Sequence, residues 1–253
     1  MNVSLFVLIL ASIWSPVSGA QSKILIYDGP GACEDCAREI SALLKGKGYQ
    51  AEIIRPEQVT EARLKQASLY IQPGGDNTMN VRNALGKDKL ALIKNYVLKG
   101  GNYLGICLGA VLASTDQDDD GSPMLGLLPV SSVEANDMAA KVVPVTVSSG
   151  GFGVRHTFVQ DPPTLKLLNS KAAVQILARY ANGGIAGVSG SAGKGKAVIF
   201  GPHFEASKNW AEFHKLKDPD GQDEQDVFMH FVRMALPASI KPVSAPASGK
   251  TAR

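Results

Sequence analysis

A lone thiol between glycines carries the strongest chemical signal in this chain: Gly105-Ile106-Cys107-Leu108-Gly109-Ala110. The apolar run Tyr103 to Ile106 reads as a short core strand, and Leu108 to Ala113 as the first turns of a helix. Cys107 then sits on the turn between them, its sulfur facing the backbone N–H groups of a helix N-terminus. Those donors and the helix field favour a thiolate and raise its nucleophilicity. Gly105 and Gly109 let neighbouring backbone close on so sharp a bend, as in the Gly-x-Ser-x-Gly elbow of serine hydrolases. The plainer alternative for the same hexapeptide is a small buried core cysteine.

A nucleophile of this kind needs a base, and Gly201-Pro202-His203-Phe204-Glu205 offers one just past the strand-like run Lys196 to Phe200. In extended chain, residues i and i+2 point the same way, so the Glu205 carboxylate can reach the His203 ring and fix its tautomer. His214 and His230 fall in helix-like segments and His156 in an irregular one, which leaves His203 as the base candidate; the alternative is a solvated surface turn. Leu69-Tyr70-Ile71-Gln72-Pro73-Gly74-Gly75 reads as a strand ending in a flexible turn able to aim N–H groups at a developing oxyanion. Gly75 and Leu108 are the expected donors, with Gly74 beside them; read alone, the turn is only a turn.

The elements needed to position these groups are visible as alternating runs. Strands are expected at 23 to 27, 50 to 54, 68 to 72 and 103 to 106, with helices near 35 to 46, 57 to 66 and 85 to 99, the last stopping at Gly100-Gly101. The second half changes character: 142 to 147, 174 to 178, 185 to 188 and 196 to 200 look like shorter strands joined by turns, some pairing antiparallel. A last amphipathic helix is expected over about 223 to 236. The fold class expected is α/β, a flavodoxin-like three-layer sandwich with a mostly parallel central sheet and antiparallel additions in the second half. No internal repeat is present. The organisation expected is a signal peptide at 1–20, one domain at 21–238, and a disordered tail at 239–253 rich in Pro, Ser, Ala, Lys and Gly.

The signal peptide rests on an apolar run from 3 to 13 followed by Trp14-Ser15-Pro16, with Ser18-Gly19-Ala20 putting small residues where a signal peptidase reads. The run is short for a membrane span, and no Lys or Arg precedes it; an uncleaved membrane anchor is the alternative. The expected location is exported, periplasmic or secreted, with no membrane partner after signal removal. In an oxidising compartment Cys33 and Cys36, a Cys-x-x-Cys after Gly29-Pro30-Gly31, are free to pair as a disulfide, leaving Cys107 as the odd thiol. A rival reading makes Cys33-Glu34-Asp35-Cys36 the active dithiol of a thioredoxin-like protein, although the thioredoxin order and its cis-Pro segment are not apparent.

No second Cys or His pair stands at ligand spacing, so no metal site and no cofactor are expected. Asp116-Gln117-Asp118-Asp119-Asp120-Gly121 begins like a calcium loop, but its twelfth position is Leu127, and a solvated acidic loop is the better reading. A formal net charge of +3 with 26 dispersed basic residues gives no indication of a nucleic-acid partner, and none is expected. The partners expected are a small-molecule or peptide amide substrate and, for self-association, a homodimer.

Taken together these stretches resemble the class I glutamine amidotransferase-like superfamily. A closer resemblance is to the biotin-protein ligase N-terminal domain family, carried by Tyr27-Asp28-Gly29-Pro30-Gly31, Pro73-Gly74-Gly75, Gly100 through Ala110 and Tyr180-Ala181-Asn182-Gly183-Gly184, between residues 23 and 236. The resemblance implies Cys107 as nucleophile, His203 as general base and acid, and Glu205 as its partner. It implies an amidase-like reaction through a thioester; the alternative is a catalytically silent domain of the same fold that binds a ligand or partner. The family commonly carries Cys-Ala-Gly-Ala where this chain has Cys107-Leu108-Gly109-Ala110, a bulkier residue at the oxyanion position. A glutaminase usually works beside a synthase that consumes ammonia, and neither a synthase nor a biotin-ligase catalytic region is read here.

Overall fold

A strand covered by apolar layers on both faces needs no polar alternation, and β1 (Lys23–Tyr27) is such a strand. Its Ile24 and Ile26 enter one core while Leu25 and Tyr27 enter the other. The computed structural model describes residues 23–243 except 134, 136, 137, 171, 218, 220, 222 and 223. The expected signal peptide at 1–20 and the tail from 244 to 253 therefore lie outside the described residues.

Around β1 the first half alternates strand and helix: α1 (Cys36–Gly46), β2 (Ala51–Ile54), α2 (Glu61–Lys65), β3 (Ala67–Gln72), α3 (Thr78–Leu98), β4 (Asn102–Ile106) and α4 (Leu108–Ala113). The helix expected at 57 to 66 is instead a 3-10 turn, Pro56–Gln58, followed by α2, whose Thr60 side chain accepts from Arg63 N–H. Helix α3 begins well before residue 85, because Asn77 Oδ1 accepts from Asn80 N–H at 2.9 Å and caps it. Gly86, with φ 67°, interrupts α3 close to the expected start.

The second half adds β5 (Val130–Val133), β6 (Lys141–Val147), β7 (Gly153–Val159), β8 (Thr164–Leu167), β9 (Val174–Tyr180), β10 (Ile185–Ala192) and β11 (Gly195–Phe200), then α5 (Lys208–Phe213) and α6 (Gln225–Ala235). The sheet runs β2-β1-β3-β4-β11-β10-β9-β6-β7, with β8 beside β10 and β5 beside β8. Pairings from β2 through β4 to β11 are parallel, and from β11 outward they are antiparallel. Helices α1 and α6 pack Ile40, Leu44, Phe228 and Phe231 on one face. Helices α3 and α4 pack Val81, Ile93, Val97 and Leu112 on the other. The molecule is thus an α/β sandwich of three layers, with the parallel part of the sheet at its centre.

Three neighbouring parallel strands, β3, β4 and β11, end together. Gln72 pairs with Gly105, Ile106 pairs with Phe200, and Cys107 N–H donates to the Phe200 carbonyl at 2.8 Å. Loops leaving the carboxyl ends of such strands form the crevice where α/β proteins place ligands. Among the described residues no helix is long and apolar enough to cross a membrane.

Candidate active site

At the end of β4 the chain turns so abruptly that Cys107 has φ 48° and ψ −110°, a conformation that costs a non-glycine residue about 1–3 kcal/mol. Helix α4 starts at the next residue, Leu108, so the N–H groups of its first turn are among those a helix leaves without intrahelical acceptors. With six residues, α4 contributes those donors rather than a long dipole. The bend closes tightly: a Cβ on Gly109 would collide with the Gln72 carbonyl, and Tyr103 Oη donates to the Gly109 carbonyl at 2.7 Å.

His203 and Glu205 follow β11. Both are buried, at 5% and 1% exposure, and Cys107 is at 4%. His203 Nδ1 donates to Glu205 Oε1 at 2.7 Å, and the ring and the Cys107 side chain both stand against Gly74. The backbone of the histidine is held from the antiparallel half, since His203 N–H donates to the Phe158 carbonyl at 2.9 Å. Burial alone would push the imidazole toward its neutral form. Charge from Glu205, the Cys107 side chain and the hydrogen bond to Glu205 outweigh it and raise the His203 pKa from 6.5 to about 10. Glu205 Oε2 is buried and has no hydrogen-bond partner among the described residues.

Gly74 stands against both groups. A Cβ there would strike the His203 ring and lie 3.3 Å from Cys107 Cβ, so only glycine fits. Gly75 pairs with Ala32, and Cys33 N–H donates to the Gly74 carbonyl at 3.0 Å. Cys33 and Cys36 are joined in a disulfide, with Cys36 opening α1. The fold thus brings Cys107, His203, Glu205, Gly74, Gly75, Leu108, Cys33 and Cys36 to one place, and a Cys-His-Glu triad is geometrically feasible there.

The cavity over Cys107 has a volume of about 430 Å³. Ala32, Cys33, Gly75, Leu108 and His203 line it from the parallel side. Phe158, Gln160, Asp161 and Trp210 line it from elsewhere, and no sequence motif marks any of these four. Gln160 and Asp161 follow β7, Trp210 lies on α5, and only the topology brings them to the sulfur. Cys107 Sγ lies 4.0 Å from the Gln160 carbonyl, its acceptor. The rings of Phe158 and Trp210 stand 6.0 Å and 5.3 Å from that of His203, and Trp210 Nε1 donates to Glu39 Oε2. Asp161, with φ 45°, is a second non-glycine residue in left-handed backbone on the rim.

Other sequence features resolve more simply. Asn182-Gly183-Gly184 is the turn between β9 and β10, and it borders a different cavity from the one over Cys107. In the acidic loop Asp116 accepts from Ser114 and Ser132, while Asp118 and Asp120 pair with Arg82.

The fold is similar to that of glutamine amidotransferases. Similar solved structures include a glutamine amidotransferase (19% identity, 78% of this chain and 93% of that one, TM-score 0.56). A glutamine amidotransferase from Thermotoga maritima is similar at 17% identity, covering 85% and 89%, with a TM-score of 0.54. PurLQS from Thermotoga maritima is similar at 17% identity, 85% and 99% coverage, and a TM-score of 0.61. Residues 22–119 match the family described as Biotin-protein ligase, N terminal. No curated protein sequence matches the chain.

Proposed function

We propose that the chain is an exported, cysteine-dependent amidase-like protein that acts on a carboxamide or related acyl group through a thioester on Cys107. The observation that carries this reading is the buried His203 ring held between Glu205 and the Cys107 side chain, at the end of a strained strand-to-helix turn. Export rests on the apolar run and small-residue site of the first 20 residues.

In this reading His203 already holds the Cys107 proton as an imidazolium beside the thiolate; the sulfur attacks the carbonyl carbon, and the new oxyanion accepts from Gly75 and Leu108 N–H groups. The imidazolium, stabilised by Glu205, gives its proton to the leaving amine as the tetrahedral species collapses to a thioester. Water, deprotonated by His203, then attacks the thioester; the Cys107 sulfur leaves with the proton and a carboxylic acid is released. The similarity to glutamine amidotransferase structures supports the class of reaction, and the aromatic wall of Phe158 and Trp210 supports an acyl group with some apolar surface.

The test is ammonia release from a panel of carboxamides, glutamine and short amidated peptides, with mass analysis of the Cys107 peptide. The reading predicts turnover, an acyl adduct on Cys107 under acid quench, and neither in Cys107→Ala. Turnover that survives Cys107→Ala overturns it. Binding of the same amides, unchanged by the substitution and without turnover in either protein, would make the chain a ligand-binding domain instead.

A further inference from the structure

Three sulfurs meet at this site, and the reaction above uses one. Cys36 Sγ, a ring nitrogen of His203 and a carboxylate oxygen of Glu205 all lie within 4.8 Å of one another. Cys36 and Glu205 are fully enclosed, while Cys33 is half-buried and lines the cavity over Cys107. Among the described residues the second carboxylate oxygen, Glu205 Oε2, has no donor. A disulfide sulfur cannot supply one, because it carries no proton. A thiol at Cys36 can.

We propose that the Cys33–Cys36 disulfide withholds a proton donor from the His203–Glu205 pair, and that reducing it lowers Cys107 reactivity by giving Glu205 a thiol to accept from. The proposal rests on the Cys107-His203-Glu205 reading and adds its regulation. In the oxidised protein the Glu205 carboxylate has one proton donor among the described residues, His203, and commits its charge to the ring. Reduction by a dithiol proceeds by thiolate attack on the accessible Cys33 sulfur, with the Cys36 sulfur leaving. The second thiol of the reductant then closes to its own disulfide; two electrons and two protons pass to the protein, one S–S bond breaks and two S–H bonds form. The new Cys36 S–H donates to the Glu205 carboxylate. A carboxylate shared between two donors stabilises an imidazolium less, so His203 is a weaker partner for the Cys107 sulfur.

Other titratable groups around the ring are His156, Lys208 and Glu224, which line the small space behind it, and Glu34, Asp76 and Asp161 across the cavity. None is altered in the variants below, so a displaced pH profile traces to the sulfurs. Loosening of the Cys33 to Gly74 contact is a competing, purely structural effect, and the variants separate the two.

The experiment measures iodoacetamide labelling of Cys107 by peptide mass spectrometry as a function of pH. The proteins are oxidised wild type, wild type reduced with dithiothreitol and desalted, Cys33→Ala, and Cys33→Ala/Cys36→Ala. Reduced wild type and Cys33→Ala both carry a Cys36 thiol, and are expected to label at least about tenfold more slowly at pH 7 with a displaced pH midpoint. The double variant has neither disulfide nor thiol and is expected within about threefold of oxidised wild type. Either protein with a Cys36 thiol matching oxidised wild type overturns the proposal, as does a double variant as slow as Cys33→Ala, which would leave the disulfide only a loop tether. Oxidised wild type labelling no faster than glutathione is a separate result: it removes the Cys-His pair itself and this regulation with it.

Discussion

The two halves of the sheet divide the work differently. In the parallel half, β3, β4 and β11 end side by side and deliver Gly74-Gly75, Cys107 and His203-Phe204-Glu205 to one spot. In the antiparallel half, β7 supplies no reacting group but holds His203 by its backbone and sets Phe158 and the following Gln160 and Asp161 around the cavity. Parallel neighbours end at the same level, so short motifs far apart in sequence converge on atoms. Antiparallel hairpins return on themselves and form a wall. Under the proposed function the two halves should be separately mutable: one should govern kcat, the other KM.

Breaking the parallel half should have the largest effects. Cys107→Ala is expected to lower amide turnover by more than about 10³-fold, measured as ammonia release. His203→Ala follows at about 10²- to 10³-fold in kcat with KM changed little. Glu205→Gln keeps the shape but removes the charge that most raises the imidazole. We expect a loss of about ten- to a hundredfold, with the pH midpoint of kcat/KM displaced toward acid. In the wall, Trp210→Phe removes the Nε1 bond to Glu39 while keeping a ring against His203. It should raise KM about two- to fivefold and leave kcat within about twofold. A Trp210 variant that lost kcat as heavily as Glu205→Gln would erase the distinction between the parallel strand ends and the cavity wall.

The smallest effect concerns stability. His203 holds its proton more tightly folded than unfolded, since its pKa rises from 6.5 to about 10. Its contribution is therefore complete below pH 6.5 and is lost as pH climbs toward 10. Thermal denaturation should show a falling midpoint across that window in wild type and a shallower fall in His203→Ala.

The same division explains what could be read from the sequence. Strands β1, β3, β4 and β11 are apolar on both faces and stand out as bare runs, and the motifs at their ends are legible with them. Strand β7 reads Gly-Val-Arg-His-Thr-Phe-Val, with Arg155 and His156 interrupting the apolar pattern, and escapes notice. Strands β5 and β8 are four residues each and pair mainly with one another, so neither leaves a period to detect. The start of α3 has a signal in Asn77, but Gly86 inside the helix masks it. Trp210 could not be found by any local pattern, because its place beside His203 follows from the packing of α5 and not from its neighbours in sequence. The position of Cys36 beside Glu205 is equally non-local: the Cys-x-x-Cys pattern marks a pair of sulfurs but not what they touch.

The central claim is that His203 makes the Cys107 sulfur reactive, and the most direct measurement is the rate of iodoacetamide labelling at Cys107 at pH 7 in oxidised wild type and His203→Ala. The account predicts that wild type labels at least about tenfold faster than a free thiol and that the variant loses the excess. Equal rates in the two proteins would contradict it.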